Sequence, residues 1–210
     1  MKNCILLLYL FLFSEATAQH APVEIMAGHQ YFNYQHSIHR KLNTNSKFGW
    51  THITNLMRRY VNHSEKGGRP NEIMNQVYLT TNLSNQFMVM GGLFFTPVTD
   101  MKISFAGQYA YRTKTLSLIV NPRFDFGEKF TYELFGLFEF RPAIAPDIHF
   151  YGRVQFMTNH SNEGHNRSYQ QLRAGVESNK IQFGIGTTFD QYGTKWISTA
   201  NTGIFIRKIL

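Results

Sequence analysis

The sequence has 210 residues, a formal net charge of +8 and a single cysteine. This length predicts one domain, because an all-β barrel of this size is usually a single unit. With 15% aromatic and 16% charged residues, the chain is too apolar to be disordered and carries few charges for a soluble domain. No run reaches the roughly 18 apolar residues of a membrane-spanning helix, which excludes a helical membrane protein.

The first eighteen residues have the layout of a secretory signal peptide. Lys2 supplies a positive start, residues 4–13 form an apolar core, and Ala16-Thr17-Ala18 matches the small-x-small pattern that signal peptidase cleaves. We expect cleavage after Ala18, which leaves residues 19–210 as the barrel domain. Cleavage also removes Cys4, so the exported chain is expected to contain no cysteine and no disulfide.

Most of the remaining chain alternates between apolar and polar residues. Between Leu116 and Phe126, for example, Leu118, Val120 and Phe124 share one face, and the intervening polar residues share the other. A period of two that recurs over ten or more residues predicts β-strands, and no segment has a helical stripe. Eleven strands are predicted, near 23–38, 47–60, 72–83, 86–97, 101–112, 115–126, 129–141, 147–158, 169–178, 180–190 and 196–208.

Alternation alone does not distinguish a membrane barrel from a soluble, lipocalin-like barrel with an apolar interior. Three features favour the membrane barrel. Arginines lie on the polar strand faces and are interleaved with acidic residues, whereas most lysines lie in or beside turns. The strands have the length that a tilted strand needs to cross a bilayer. Aromatic residues cluster near strand ends on the apolar face, as interfacial girdles do. The soluble barrel is kept as an alternative.

The chain resembles the small outer-membrane β-barrels of Gram-negative bacteria. The resemblance rests on the whole alternating pattern and on residues 166–175, 182–184 and 201–207, which look like an uncharacterised group of short exported barrels. It implies an all-β, closed, antiparallel up-and-down transmembrane barrel of ten to twelve strands in the bacterial outer membrane. Because such barrels normally have an even number of strands, one is expected to be miscounted near the N-terminus, and twelve is favoured over ten.

The resemblance assigns no activity, and it implies a short set of partners. These are outer-membrane lipid, lipopolysaccharide and the barrel-assembly machinery, while the oligomeric state is undetermined. Nucleic acid is not expected, because the basic residues are spread over strands and turns without forming a stripe. No cofactor is expected.

Polar residues on the strand faces predict a charged interior. Such a network either lines a narrow channel whose constriction is set by charge or packs into a polar core that closes a small barrel. Gly184 and Gly186 alternate on the same face, where they leave room for large neighbours. The predicted lumen-lining residues are Arg112, Arg123, Asp125, Glu133, Glu139, Arg141, Arg153, Gln155, Arg173, Glu177, Asp190, Asn201 and Arg207.

A second hypothesis concerns the polar connection predicted at residues 158–168. Its histidines and serines resemble the His/Ser region of outer-membrane phospholipase A, and a serine hydrolase needs a base within hydrogen-bond reach of its nucleophile. His160 and Ser161 are adjacent and would point to opposite faces of a strand, although a loop could bring them together. His165 and Ser168 are another possible pair. A plain extracellular loop is the favoured interpretation.

A metal site at His36-x-x-His39, with His29 nearby, is considered and not favoured. No acidic or cysteine cluster accompanies these histidines, and their spacing suits a helix better than a strand. The leading functional hypothesis is therefore a non-enzymatic, porin-like or structural outer-membrane barrel without a metal. The alternatives are an outer-membrane lipid hydrolase and a soluble, lipocalin-like binding barrel.

Overall fold

The computed structural model describes residues 21–60 and 71–210. The predicted signal peptide and most of the polar connection predicted near residues 62–71 lie outside the described residues. Among the residues described, no helix is long and apolar enough to cross a membrane. The strands are β1 (Pro22–Gly28), β2 (Tyr31–Lys41), β3 (Phe48–Arg59), β4 (Glu72–Asn82), β5 (Phe87–Thr96), β6 (Asp100–Arg112), β7 (Leu116–Phe126), β8 (Thr131–Phe140), β9 (Ala143–Ala145), β10 (Ile148–Ser161), β11 (Gly164–Ser178), β12 (Ile181–Tyr192) and β13 (Ile197–Ile209).

Twelve of these strands form a closed antiparallel barrel, and the short β9 pairs only with β10. The ring closes where β1 pairs with β13, and Pro22 lies opposite Ile209. We call this end of the barrel the terminal rim; it carries the connections 42–47, 83–86, 113–115, 141–147 and 179–180. The opposite end is the distal rim, which carries Tyr60, Asn71 and the connections 29–30, 97–99, 127–130, 162–163 and 193–196.

The structure confirms the even strand number and corrects the prediction in two places. The strand predicted at 23–38 is in fact two strands, β1 and β2, joined by a short turn at residues 29–30 that follows Gly28. The long polar connection predicted at 158–168 is wrong, because β10 and β11 continue through most of it and meet at residues 162–163. Gly164 has a φ of 114°, a backbone conformation that side-chain-bearing residues rarely adopt, and it allows this tight turn.

The apolar side chains point outward and the arginines point inward. Phe105, Phe124 and Phe150 are 54%, 47% and 37% exposed on the outer wall, whereas Arg123 and Arg153 are 2% and 3% exposed. This arrangement is the reverse of a soluble barrel, which buries its apolar residues inside. The lipocalin-like alternative is therefore wrong, and the outer wall matches the apolar band of a transmembrane barrel.

Candidate functional site

The interior contains one large cavity of about 1830 Å³. Its lining includes Arg112 and Lys180 at the terminal rim and Asp100 and Glu128 at the distal rim, so it extends from one rim to the other. The cavity does not fill the whole cross-section. The inner faces of β1 and β10–β13, which we call the packed half, are crowded with bonded polar side chains. The inner faces of β2–β8, the open half, border most of the cavity.

Glu24 on β1 is the centre of the packed half. It is 1% exposed, lies 2.6 Å from the guanidinium of Arg153 and 3.0 Å from that of Arg173, and accepts a hydrogen bond from Gln35. Two strands separate β1 from β11 and three separate it from β10, so these bonds cross the interior rather than follow the wall. One carboxylate thus pairs with two buried guanidinium groups.

Arg207 on β13 organises a second cross-strand cluster nearer the terminal rim. Its guanidinium lies 2.7 Å from Glu139 on β8 and donates to Tyr151 and Gln182 at 2.8 and 2.7 Å. Gln182 in turn donates to Glu177, which Arg141 approaches to 3.6 Å. Charged hydrogen bonds of this kind satisfy buried arginine donors on several sides.

Glycine makes room for one of these arginines, as the sequence predicts. A Cβ at Gly186 would lie 2.7 Å from Cδ of Arg173, closer than real Cβ contacts. The bare backbone of β12 therefore lets the Arg173 side chain lie flat and reach Glu24 on β1.

A different arrangement lies on β6–β8, where the charges pair along the wall. Arg123 contacts Asp125 on its own strand at 3.0 Å and Glu133 on the neighbouring strand at 2.9 Å. Asp125 also accepts hydrogen bonds from Ser104 and Thr131 at 2.7 and 3.0 Å. Because all partners are on the same or adjacent strands, this cluster covers the wall and leaves the centre of the lumen free.

The distal end of the lumen is bridged by Glu72 on β4. Its carboxylate lies 2.6 Å from Arg167 on β11 and accepts a hydrogen bond from Tyr192 on β12 at 2.9 Å. Five strands separate β4 from β11 in either direction around the ring, so the ion pair joins opposite walls. Asp190 holds the other side of Arg167 at 2.8 Å and accepts from Tyr31 at 2.7 Å. This bridge narrows the distal mouth.

The thirteen predicted lumen residues all lie on inward-facing positions, but in different surroundings. Arg112 and Arg141 lie at the terminal rim, Gln155 donates to Tyr169, and Asn201 bonds the backbone of Tyr31. Sequence reasoning missed the interior residues Glu24, Tyr31, Arg59, Glu72, Tyr151, Arg167, Tyr169, Gln182 and Tyr192. Glu24 and Tyr31 were hidden by the merged first strand, and Arg167 by the supposed loop.

The two rims differ in their unpaired charges. Lys41, Arg112 and Lys180 line the cavity at the terminal rim, and within residues 21–60 and 71–210 none of them forms an ion pair. Asp100, Glu128 and Lys102 line it at the distal rim, likewise without an ion pair in this part of the chain. The lumen therefore carries a positive terminal mouth and a distal mouth of mixed charge.

The four residues of the hydrolase hypothesis lie on both sides of the wall at the distal rim. Ser161 faces the interior, and His160 faces outward and stacks on Tyr132. The adjacent pair is thus kept apart, as strand geometry requires. His165 and Ser168 do meet, with 2.8 Å between Nε2 and Oγ.

The histidines considered for a metal do not converge. His36 faces outward, where it is 3.1 Å from His52, whereas His39 faces inward and bonds Thr51 at 2.9 Å. Three residues along a strand reverse the face, which is why this spacing fails. Among the described residues, no group of three or more His, Cys, Asp or Glu side chains could hold a metal ion.

A closed twelve-strand barrel with an apolar outer wall and a polar lumen defines the class: this protein has the fold of a transmembrane β-barrel. No protein-family model matches the sequence, and no curated protein matches it. Among solved structures it is similar to the NanC porin, with a TM-score of 0.54 at 10% identity, over 91% of this chain and 98% of that chain.

Two further barrels have lower similarity. The KdgM porin in complex with disordered oligogalacturonate has a TM-score of 0.49 at 9% identity, over 90% of this chain and 98% of that one. LpxR from Salmonella typhimurium has a TM-score of 0.45 at 6% identity, over 91% of this chain and all of that one. At 10% identity, the similarity to the NanC porin shows a shared barrel fold.

Proposed function

We propose that this barrel is a small outer-membrane channel that favours anions. The observation that carries the proposal is the continuous cavity of about 1830 Å³, whose lining reaches both rims. A barrel built only as a structural element needs no such passage, since side chains can fill the interior of a small barrel.

The charge at the terminal mouth supports the preference for anions. Lys41 on β2, Arg112 on β6 and Lys180 in the β11–β12 turn approach the opening from separate parts of the ring. Charged side chains that ring a pore attract ions of opposite sign and exclude like charges. Glu177 faces the same rim, but it lies beside Arg141.

The Glu72–Arg167 bridge supports a small conducting radius. It places an ion pair across the distal mouth, where large solutes would have to pass. We therefore assign to the channel small solutes rather than folded polymers, and transport through it requires no catalytic step.

Planar-bilayer recording of the purified full-length barrel tests the proposal. We expect discrete conductance and, in a KCl gradient, a reversal potential on the chloride side. The double variant Lys41→Glu/Arg112→Glu should lower the anion-to-cation permeability ratio about fivefold or more, because one nearby unit charge contributes about 1 kcal/mol even in water.

The matched control is Lys47→Glu/Lys114→Glu, which makes the same charge change in terminal-rim turns outside the cavity lining. It should leave the permeability ratio within about twofold of the wild type, since exposed charges away from the pore are screened by salt. A folded barrel without conductance would end the channel proposal. A conducting barrel with no anion preference would overturn the proposed selectivity and leave the channel proposal standing.

A further inference from the structure

Six neighbouring inward positions on β5–β8 and β10 carry apolar side chains, and all of them line the interior cavity. We call this set the apolar belt; it consists of Met88, Ala110, Ile119, Phe135, Leu137 and Met157. Each lies in a stretch where apolar residues follow one another, such as Leu118-Ile119-Val120. The alternation that predicts inward polar residues therefore fails at these positions.

Strand register makes the apolar belt continuous. Ala110 on β6 lies opposite Ile119 on β7, and Ile119 lies opposite Leu137 on β8. Phe135 is two residues from Leu137 on the same face of β8, and it lies opposite Met157 on β10. Cross-strand partners on one face are in side-chain contact range. The belt is therefore one surface rather than a set of isolated side chains.

The belt borders the cavity rather than a packed core. Ile119, Phe135 and Leu137 are each partly exposed, and their inward orientation directs the exposed surface into the lumen. Apolar surface in contact with water is unfavourable, and a ligand that covers it removes this cost. A channel for inorganic anions alone has no need of such a wall. The belt therefore fits a solute with an apolar part.

The terminal end of the belt offers a single unpaired charge. Arg112 lies two residues from Ala110 on the inner face of β6 and forms no ion pair in the described part of the chain. The acidic residue in its cross-strand row is Glu139, which Arg207 approaches to 2.7 Å. One guanidinium is thus available there, and the nearby carboxylate disfavours a second negative charge on a ligand.

The distal end of the belt offers no comparable charge. The row of Ala106, Arg123 and Glu133 closes the belt there, and Arg123 is already paired with Glu133 and Asp125 at 2.9 and 3.0 Å. Along β6 this row lies six residues from that of Arg112, which is about 20 Å of strand. The belt thus has one cationic end and room for an apolar body of medium length.

We propose that the apolar belt and Arg112 form a binding site for small amphipathic monoanions, each a single carboxylate on an alkyl chain of medium length. The carboxylate accepts hydrogen bonds from the Arg112 guanidinium, whose planar fork suits it. The chain lies along Ile119, Leu137 and Phe135. Heavily hydroxylated acids are excluded, because the belt offers their hydroxyl groups few partners in place of water. The site names a solute class for the proposed channel and rests on that proposal for transport, whereas binding needs only the cavity.

Equilibrium dialysis tests the site directly. The full-length barrel in phosphatidylcholine nanodiscs is dialysed against radiolabelled decanoate at pH 8, and retention by empty nanodiscs is subtracted. We expect saturable binding at one site per barrel. Gluconate, a hydroxylated monoanion, should compete at least about tenfold more weakly than unlabelled decanoate, since its hydroxyl groups lose water without replacement. Equal competition by gluconate would overturn the amphipathic ligand class.

A matched pair of isoleucines separates the belt from the rest of the lumen. Ile119→Asn places an amide in the belt and should weaken decanoate binding about tenfold, because apolar contact is lost and a polar group is covered. Ile53→Asn makes the same change on the inner face of β3, between Ser37 and Gln76, and should keep the affinity within about twofold. Both variants face the same bilayer, so partition into lipid does not distinguish them. Heat-modifiable migration on gels verifies folding, and equal affinities of the two folded variants overturn the belt as the binding surface.

Two cations of the terminal rim test the position of the carboxylate. Arg112→Gln should weaken decanoate binding about tenfold, since a hydrogen-bonded charge pair is lost. Lys180→Gln removes an unpaired cation of the same mouth from the β11–β12 turn, away from the belt, and should change the affinity by no more than about twofold at physiological salt. Equal losses in both variants would show a general attraction of anions to the mouth and overturn Arg112 as the carboxylate site.

Planar-bilayer recording separates this site from the channel proposal. Decanoate should block the chloride current of the wild-type barrel, and Ile119→Asn should relieve the block while Ile53→Asn retains it. A barrel that binds decanoate without conducting overturns the channel and leaves the binding site standing. A conducting barrel with no saturable decanoate binding overturns the binding site and leaves the channel standing.

Discussion

The packed and open halves of the lumen use the same alternating strands but place their charges differently. In the packed half, Glu24 and Arg207 find partners two or three strands away, so their side chains extend across the interior. In the open half, Arg123 finds both acidic partners on its own or the adjacent strand. An inward-facing charge thus fills a barrel or leaves it hollow according to how far away its partner lies. Both sequence hypotheses for the interior, a packed polar core and a channel lining, describe features that coexist on different arcs of the ring.

The largest difference between the halves should appear on removing a central charge. Glu24→Ala leaves Arg153 and Arg173 buried without their carboxylate, and breaking a buried pair in this way costs about 3–5 kcal/mol. We expect this loss in the free energy of unfolding, measured by urea titration in lipid vesicles. Lys41→Ala in the open half removes an inward charge without an ion pair and should change that free energy by no more than about 0.5 kcal/mol. Equal effects would show that the two halves do not differ in packing.

Bulky inward substitutions test how much room each half of the lumen has. Thr188 on β12 is 3% exposed in the packed half, so Thr188→Trp overpacks it and should destabilise the barrel by about 1–3 kcal/mol. Gln108 on β6 lines the cavity, so Gln108→Trp should keep the wild-type stability within about 0.5 kcal/mol and lower single-channel conductance instead. The comparison fails if Gln108→Trp unfolds the barrel or leaves conductance unchanged.

The smallest effect is expected where a charge pair belongs to neither half. Lys129 and Glu163 lie 2.8 Å apart in distal-rim turns, with side chains 60% and 69% exposed. Exposed pairs contribute about 0–1 kcal/mol and weaken with salt. Lys129→Ala should therefore shift the urea midpoint only slightly at low salt and not at all in molar salt. A larger, salt-independent shift would mean that this pair holds the rim together.

Much of the candidate site could be predicted because period-two alternation fixes which face each residue shares. The thirteen lumen positions followed from this rule, as did the separation of His160 from Ser161. The rule failed where the sequence signals for turns were weak. The turn at residues 29–30 was not recognised, which hid Glu24 and Tyr31, and polar composition made the β10–β11 hairpin look like a loop. Polar residues at a rim still pair as strands when the backbone ladder continues.

The sequence by itself determined the class of fold, the membrane-facing side of each strand and the set of side chains that point inward, because these depend on local periodicity and on the cost of charge in hydrocarbon. Only the tertiary structure decided the partners: that Glu24 serves two arginines, that Glu72 reaches Arg167 on the opposite wall, and that His165 meets Ser168. Such contacts depend on ring closure, register and a bulge, which bring together distant residues such as Glu24 and Arg173, 149 positions apart. No local sequence pattern predicts contacts between residues so far apart in the chain.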